Sequence, residues 1–505
     1  MSIKIIILLL IISINAMAQE ISWEIEDNFR LLKNRADQQW IKKIALQSSA
    51  LESTTITTDE IKGKWESVPP TYYDKHKGIY EPEYLTPLQW NITVNFNTKS
   101  NINDCTWTIN DKDAQGPCKN YKLPESITPN GALVKVKSTD NTRAELFIKP
   151  DDILIIGIGD SYASGEGVPD VSKRWFRSSD WWDNKCHRSL YSWQVLSAAR
   201  LAAENPHKSI TFLSRACSGA LISELLDKNS AGAMGESNTL VNGNHLIESQ
   251  LSLLTKDLCL EKNSKDACTN QRQPNFVLLS IGGNDARFSE IIKDAILGKI
   301  NSGIDLKTEY RNYAVKGTKY LREEYPKLAK KIIGNFPSSK ILMTIYPDPL
   351  HRHPSAFCGI DEADGKQYLR LKSSGLLGTI ARWFGKKEEN REITALYDDF
   401  VVRLTGSHDP IDDDYKGILQ IGENLSSLYQ NKWITIPLRR GLKNYDQANG
   451  FQTRGYCVPG NDISGRWFLT IDDSEEHIGG LSGSVHPNIF GQLYYTSKVF
   501  HYFGF

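Results

Sequence analysis

The apolar run Ile153-Leu154-Ile155-Ile156 leads straight into Gly157-Ile158-Gly159-Asp160-Ser161-Tyr162-Ala163-Ser164-Gly165-Glu166-Gly167. A short, unbroken, β-branched run bounded by glycine predicts a strand covered on both faces, as in a parallel sheet packed between helices. A glycine-rich turn that ends such a strand carries Ser161 to the carboxyl edge of the sheet, where ligand crevices form. Further runs of this kind occupy 210–213, 276–281, 341–346 and 433–436. Helical spacing lies between them at Ser189–Ala203, Leu246–Leu258, Tyr313–Ile333 and Glu389–Leu404. The alternation predicts an α/β domain over 151–505.

A chain of 505 residues has room for about two to four domains. From Gly63 to Pro150 the texture is different. Short alternating runs (Trp90–Phe96, Cys105–Ile109, Ala132–Val136, Ala144–Ile148) are separated by turn residues. This predicts a small β-sandwich, and the cysteine-tryptophan strand suits an immunoglobulin-like module over 63–150. The stretch 19–62, with helical spacing from Phe29 to Ser48, is expected to be a helical segment that packs on something or serves as a stalk.

Lys4 followed by the apolar run Ile5–Ile14 and by Ala16-Met17-Ala18 has the form of a secretory signal, cleaved after Ala18. The run is too short for a stable membrane span. Lysines and arginines balance aspartates and glutamates at 60 each, which argues against nucleic acid or an anionic membrane as an obligatory partner. An exported chain, secreted or periplasmic, is therefore expected, without an integral span and as a monomer. Its 8 cysteines fit an oxidising compartment. Proximity suggests Cys105–Cys118 and Cys259–Cys268, which would leave Cys186 with Cys217 and Cys358 with Cys457. Eight cysteines permit on the order of a hundred connectivities. Zinc is disfavoured because the chain has no C-x-x-C pair.

Ser161 needs a base to become a nucleophile, and its place at a strand-to-helix turn offers N–H groups to a developing oxyanion. A serine capping a helix is the ordinary alternative. Gly282-Gly283-Asn284-Asp285 follows the run Phe276–Ile281. Its glycines allow close backbone approach, and the Asn284 amide can donate to an oxyanion or simply cap a helix. Cys217-Ser218-Gly219-Ala220 presents a loop glycine, and Val485-His486-Pro487-Asn488 supplies an imidazole near the C-terminus. His353-Pro354 repeats the His-Pro dipeptide, and His351 and His353 are read as exposed.

Taken together, Gly159-Asp160-Ser161, Gly219, Gly282–Asp285 and His486-Pro487-Asn488 resemble, in order, the four blocks of the SGNH (GDSL-type) hydrolases. The chain is most similar to secreted bacterial members with Asp-Ser-Tyr-x-Ser-Gly-Glu-Gly, a Cys-x-Arg-Ser segment (Cys186, Arg188, Ser189) and Ala-Cys-Ser-Gly-Ala at 216–220. The resemblance covers about 151–505 and implies a flavodoxin-like three-layer sandwich with a five-stranded parallel sheet. It implies Ser161 as nucleophile and His486 as general base and acid. It also implies an oxyanion hole from the Ser161 and Gly219 N–H groups and the Asn284 amide, and a Cys186–Cys217 bridge. Neither a cofactor nor a metal is implied.

One position departs from the family pattern. Where an aspartate usually precedes the histidine by three residues, this chain has Gly483. The expected acceptor for the imidazole Nδ1–H is the carbonyl of Gly483 or a neighbour, giving a Ser–His dyad. A carboxylate from Asp472, Asp473, Glu475 or Glu476 is the rival. Trp181-Trp182 and Trp175-Phe176 are read as buried aromatics before an acyl or sugar platform, Asp409–Asp414 as a surface turn, and Glu166 as a residue that fixes its loop. The expected activity is hydrolysis of lipid, lysophospholipid or short-chain acyl esters through an acyl-enzyme. The alternatives are polysaccharide O-acetylester hydrolysis, with glycan as a possible partner, acyl transfer to another alcohol, and an inert binding or adhesion protein.

Overall fold

The computed structural model describes residues 20–49, 58–97, 103–174, 177–230, 232–233, 247–287, 306–347, 351–353, 356–357, 418–438, 451, 454–456 and 465–504. The chain divides into two compact units, one formed by residues through Asp27 with Leu88–Asp151 and the other by Asn28–Pro87 with Asp152–Phe505.

Among the described residues the smaller unit has seven strands: β1 (Ile21–Ile25), β2 (Ile92–Phe96), β3 (Asp104–Ile109), β4 (Lys112–Pro117), β5 (Tyr121–Lys122), β6 (Ala132–Ser138) and β7 (Arg143–Ile148). They form two antiparallel sheets, ordered β1-β2-β5 and β4-β3-β6-β7. Along β6 every second residue is buried, so one face of the pleat meets the core and the other meets water. Both sheets share a single core around Trp107, whose ring stacks on Tyr121 at 5.6 Å. The Cys105–Cys118 disulfide ties β3 to the segment after β4.

The larger unit is built on β8 (Asp151–Gly159), β9 (Lys208–Ser214), β10 (Phe276–Ser280), β11 (Lys340–Thr344) and β12 (Trp433–Ile436). Their order in the sheet is β9-β8-β10-β11-β12. β8 runs parallel to β10, β10 to β11 and β11 to β12. This is the 2-1-3-4-5 order of flavodoxin-like sheets, in which the ligand crevice opens between the first and third strands. All seven residues from Ile153 to Gly159 are buried, as expected of a strand covered on both faces. Helix α1 (Arg35–Leu46) packs on α3 (Trp193–Glu204), which also meets the C-terminal α7 (Ile489–Phe500). A separate group pairs α5 (Leu306–Asn335) with α6 (Ile418–Leu428), which lies on β12. The short α2 (Ser161–Ser164) and α4 (Gln250–Asp257) flank the crevice. Among the described residues no helix is long and apolar enough to cross a membrane.

The structure corrects the expected boundaries of 19–62 and 63–150. Residues 21–25 form a sandwich strand, while 28–87 belong to the α/β unit. The reason is hydrogen bonding. β9 is an edge strand, and an open edge is a template for unwanted pairing. Here Ile210 N–H donates to Asn28 O (2.7 Å), and Arg30 N–H donates to Ile210 O (3.0 Å). Phe212 N–H donates to the Tyr84 hydroxyl (2.9 Å), and Ser214 N–H to the Tyr80 hydroxyl (2.8 Å). The segment therefore closes the sheet and is not a stalk.

Disulfides join Cys105–Cys118, Cys186–Cys217 and Cys259–Cys268. Cys358 and Cys457 lie outside the described residues, as do Trp175-Phe176, Glu389–Leu404 and Asp409–Asp414.

Candidate active site

β8 ends at Gly159, whose φ of +132° suits glycine. A Cβ there would fall 2.0 Å from Ser280 O of β10, so only glycine lets the two strands converge. Gln250 of α4 brackets the same peptide, accepting from Gly159 N–H (2.9 Å) and donating to Gly159 O (2.7 Å). Asp160 then caps α2 by accepting from Tyr162 N–H at 3.1 Å. Ser161 is the first residue of that helix, buried to 8% exposure. Its N–H, at the first turn, has no acceptor within its own helix.

His486 arrives from the far end of the chain, with Nε2 at 2.8 Å from Ser161 Oγ. Its Nδ1 lies 3.1 Å from the carbonyl oxygen of Ser484. A carbonyl only accepts, so the ring proton sits on Nδ1 and Nε2 is left to accept from the serine hydroxyl. The acceptor expected for Nδ1 was the carbonyl of a neighbour of Gly483, as found, or of Gly483 itself. The Gly483 carbonyl takes the His486 backbone N–H at 3.1 Å, and its dipole adds to the field on the ring. The choice of Ser484 follows from the left-handed Val485 (φ +64°), which folds the loop back on itself. Asp473 is occupied elsewhere, accepting from Arg466 (2.6 Å) and Thr470 N–H (2.9 Å). Burial lowers the His486 pKa, opposed by the nearby Glu166 carboxylate and by the Ser484 and Gly483 carbonyls. The balance favours the neutral, proton-accepting imidazole.

Gly219 sits in a left-handed turn (φ +82°) after β9. Cys217 N–H donates to Gly159 O at 3.0 Å, which stitches this turn to the end of β8. The Asn284 amide donates to Ala220 O at 3.1 Å, and Ile222 N–H donates to Asp285 at 3.1 Å. The loops bearing Ser161, Gly219 and Asn284 are therefore laced to one another at the carboxyl edge of the sheet.

Residues to which the sequence reading gave no part in the chemistry hold these loops. The Tyr346 hydroxyl donates to the Asp160 carboxylate and accepts from Gly283 N–H at 2.8 Å. It bridges the turn before the serine to the turn before Asn284. Burial pushes the Asp160 carboxyl up to about 7, against the pull of its bonds from Tyr346 and Tyr162 N–H. Tyr162 donates to Val485 O at 2.8 Å. Glu166 and His187 form a buried pair, with Nδ1 at 2.8 and 2.9 Å from the two carboxylate oxygens. Nothing in sequence spacing marks Tyr346 or His187. Tyr162 was visible only as a neighbour of the serine, whereas Glu166 was read as a residue that fixes its loop. Trp181 and Trp182 are buried, as the default reading held, and Trp181 stacks on His187 at 4.0 Å.

No protein-family model matches the chain, and no curated protein matches it. Among solved structures, it is similar to the extracellular lipase of Streptomyces rimosus, at 16% identity over 69% of this chain and 96% of that one, TM-score 0.35. Phospholipase A1 of Streptomyces albidoflavus is 14% identical over 70% and 97%, TM-score 0.36. Est24, a carbohydrate acetylesterase of Sinorhizobium meliloti, is 12% identical over 69% and 97%, TM-score 0.25. Likenesses this distant carry no chemistry across.

Proposed function

We propose that this chain is an exported serine esterase of the SGNH type, working through a Ser161–His486 dyad. The observation that carries the reading is the 2.8 Å contact between His486 Nε2 and Ser161 Oγ, with Nδ1–H committed to a carbonyl. A neutral imidazole in that tautomer takes the hydroxyl proton as Ser161 attacks an ester carbonyl. The Ser161 and Gly219 N–H groups and the Asn284 amide receive the oxyanion. His486 then returns the proton to the departing alcohol, and water, activated by the same imidazole, releases the acid from the acyl-enzyme. No step calls on a metal or an organic cofactor.

Lipid, lysophospholipid or short-chain acyl esters are the proposed substrates. The second reading is a polysaccharide O-acetylesterase, supported by the sandwich unit. Its first, second and fifth strands share one sheet and its fourth, third, sixth and seventh the other, which supports the expected immunoglobulin-like module. Such modules are frequent carriers of binding loops. The leader and the disulfides support export.

The test is hydrolysis of p-nitrophenyl acetate, butyrate and palmitate by the wild type and Ser161→Ala, beside acetate release from O-acetylated polysaccharide. Equal rates in both proteins would remove the esterase reading and leave an inert binding domain. Asn284→Ala should lower kcat by about 10²–10³ if its amide meets the oxyanion.

A further inference from the structure

We propose that Glu166 is the positioning carboxylate of His486, holding a full negative charge beside the imidazole in place of the aspartate this chain lacks. The inference deepens the esterase reading and rests on it. Glu166 is 1% exposed, and burying a carboxylate is costly unless partners repay it. Its partners come from the loops of the site. His187 Nδ1 lies at 2.8 Å from one oxygen and 2.9 Å from the other, and Ser218, beside Gly219, also favours the charged carboxylate. The Glu166 N–H donates to Ser161 O at 3.2 Å, so this turn is bonded to the nucleophile's own residue.

The turn also lies directly against the histidine. A Cβ on Gly167 would fall 3.2 Å from His486 Cβ and 2.5 Å from Pro487 O. The glycine that follows Glu166 is what lets the two loops touch. On its other side the pair is clamped. Trp181 lies flat on the His187 ring, with an interplanar angle of 2°. Cys186, the residue before His187, is disulfide-bonded to Cys217, two residues before Gly219. The carboxylate is therefore fixed relative to the nucleophile, oxyanion and histidine loops at once.

The charges support this geometry. Burial raises the Glu166 pKa, but His187 and then His486 pull it down to about 2, so it is ionised wherever the enzyme works. Burial lowers the His486 pKa, and Glu166 is the largest influence raising it, while His187 lowers it. Asp160, the other carboxyl near the serine, is turned to Tyr162 N–H and the Tyr346 hydroxyl. Among the described residues, the histidine loop turns the carbonyls of Ser484 and Gly483 to His486. Imidazolium formed as Ser161 attacks is thus stabilised by Glu166 without a bond to it.

The test reads the His486 pKa by NMR in protein with ¹³C-labelled histidine, the resonance assigned by its loss in His486→Gln. In Glu166→Gln the pKa should fall by about half a unit or more, and in His187→Gln it should rise. The acid limb of the pH–rate profile should follow both shifts. The kcat of Glu166→Gln should drop about tenfold with KM within about twofold, and Glu166→Asp should restore part of it. Opposite shifts from two touching residues are not produced by general loosening. An unchanged His486 pKa in Glu166→Gln, or shifts of the same sign, overturns the proposal. Should Glu166→Gln fail to fold, His187→Gln decides: a raised pKa supports the proposal and an unmoved one sinks it. Failure of the esterase reading shows separately, as equal ester hydrolysis by wild type and Ser161→Ala.

Discussion

The Tyr162 hydroxyl donates a 2.8 Å hydrogen bond to the carbonyl of Val485, joining the residue after Ser161 to the residue before His486. Val485 has φ +64°, a strained value for a β-branched side chain. It keeps that conformation because Val485 N–H also donates to Leu469 O (2.9 Å), and Leu469 N–H to His486 O (3.0 Å). Strain of this kind persists where the surroundings over-determine it. Here it sets the distance between hydroxyl and imidazole.

Tyr162→Phe removes the donor and leaves a buried carbonyl unpaired. Stability should fall by about 1–3 kcal/mol, read as a lower denaturation midpoint with an unchanged m-value. The kcat should fall by more than KM changes, because the His486 loop loses its anchor on the serine side. An unaltered kcat would show that the Leu469 ladder alone is sufficient.

The pH profile follows from the direction of the His486 shift. Its neutral form is the base, and burial lowers its pKa below the ordinary value. The rate should therefore rise with pH through a midpoint below about 6.5 and then level off. The measurement is kcat/KM against pH. A midpoint well above that value would mean that imidazolium is favoured in the free enzyme.

Glu166 contributes to stability with the same sense of dependence on acid, lower on the pH scale. Its folded pKa is depressed to about 2, so its contribution is complete above the unfolded carboxyl value of about 4.3. It fades as pH falls from there through the folded value. Thermal melts across this acid range should show wild type and Glu166→Gln converging as pH drops.

The Cys186–Cys217 bridge closes a loop of sequence separation 31 that contains His187 and strand β9 and ends two residues before Gly219. Replacing both cysteines by serine should cost about 2–5 kcal/mol of stability. It should also reduce kcat by loosening the Gly219 turn. Melting curves and ester hydrolysis of the double variant report the two effects separately.

A chain that begins at Asp152 would lack Asn28–Pro87 and leave the edge of β9 bare. It should be recovered largely as aggregate, since exposed edge strands pair with one another. Size-exclusion chromatography of this chain beside the full-length protein is the check. A soluble monomer would show that the segment is dispensable for closing the sheet.

The larger fold could be read from local pattern. Each strand of the parallel sheet is a short unbroken apolar run, and burial on both faces demands such runs whatever the tertiary detail. The glycine turns carrying Ser161, Gly219 and Asn284 were visible because close approach of backbones permits few other residues. The segment 28–87 could not be assigned in that way, because its polar main-chain atoms and two tyrosine hydroxyls serve a strand more than a hundred residues away. The partner of Nδ1 depended on one left-handed residue, Val485, whose side chain gives no hint of its φ. Glu166 and His187 meet only because a disulfide and a flat tryptophan bring their loops together. Local periodicity and turn chemistry thus determined the sheet, and the resemblance in motif order pointed to the pair Ser161 and His486. Long-range hydrogen bonds and buried charge, which leave no periodic trace along a chain, decided how that pair is held and electrostatically tuned.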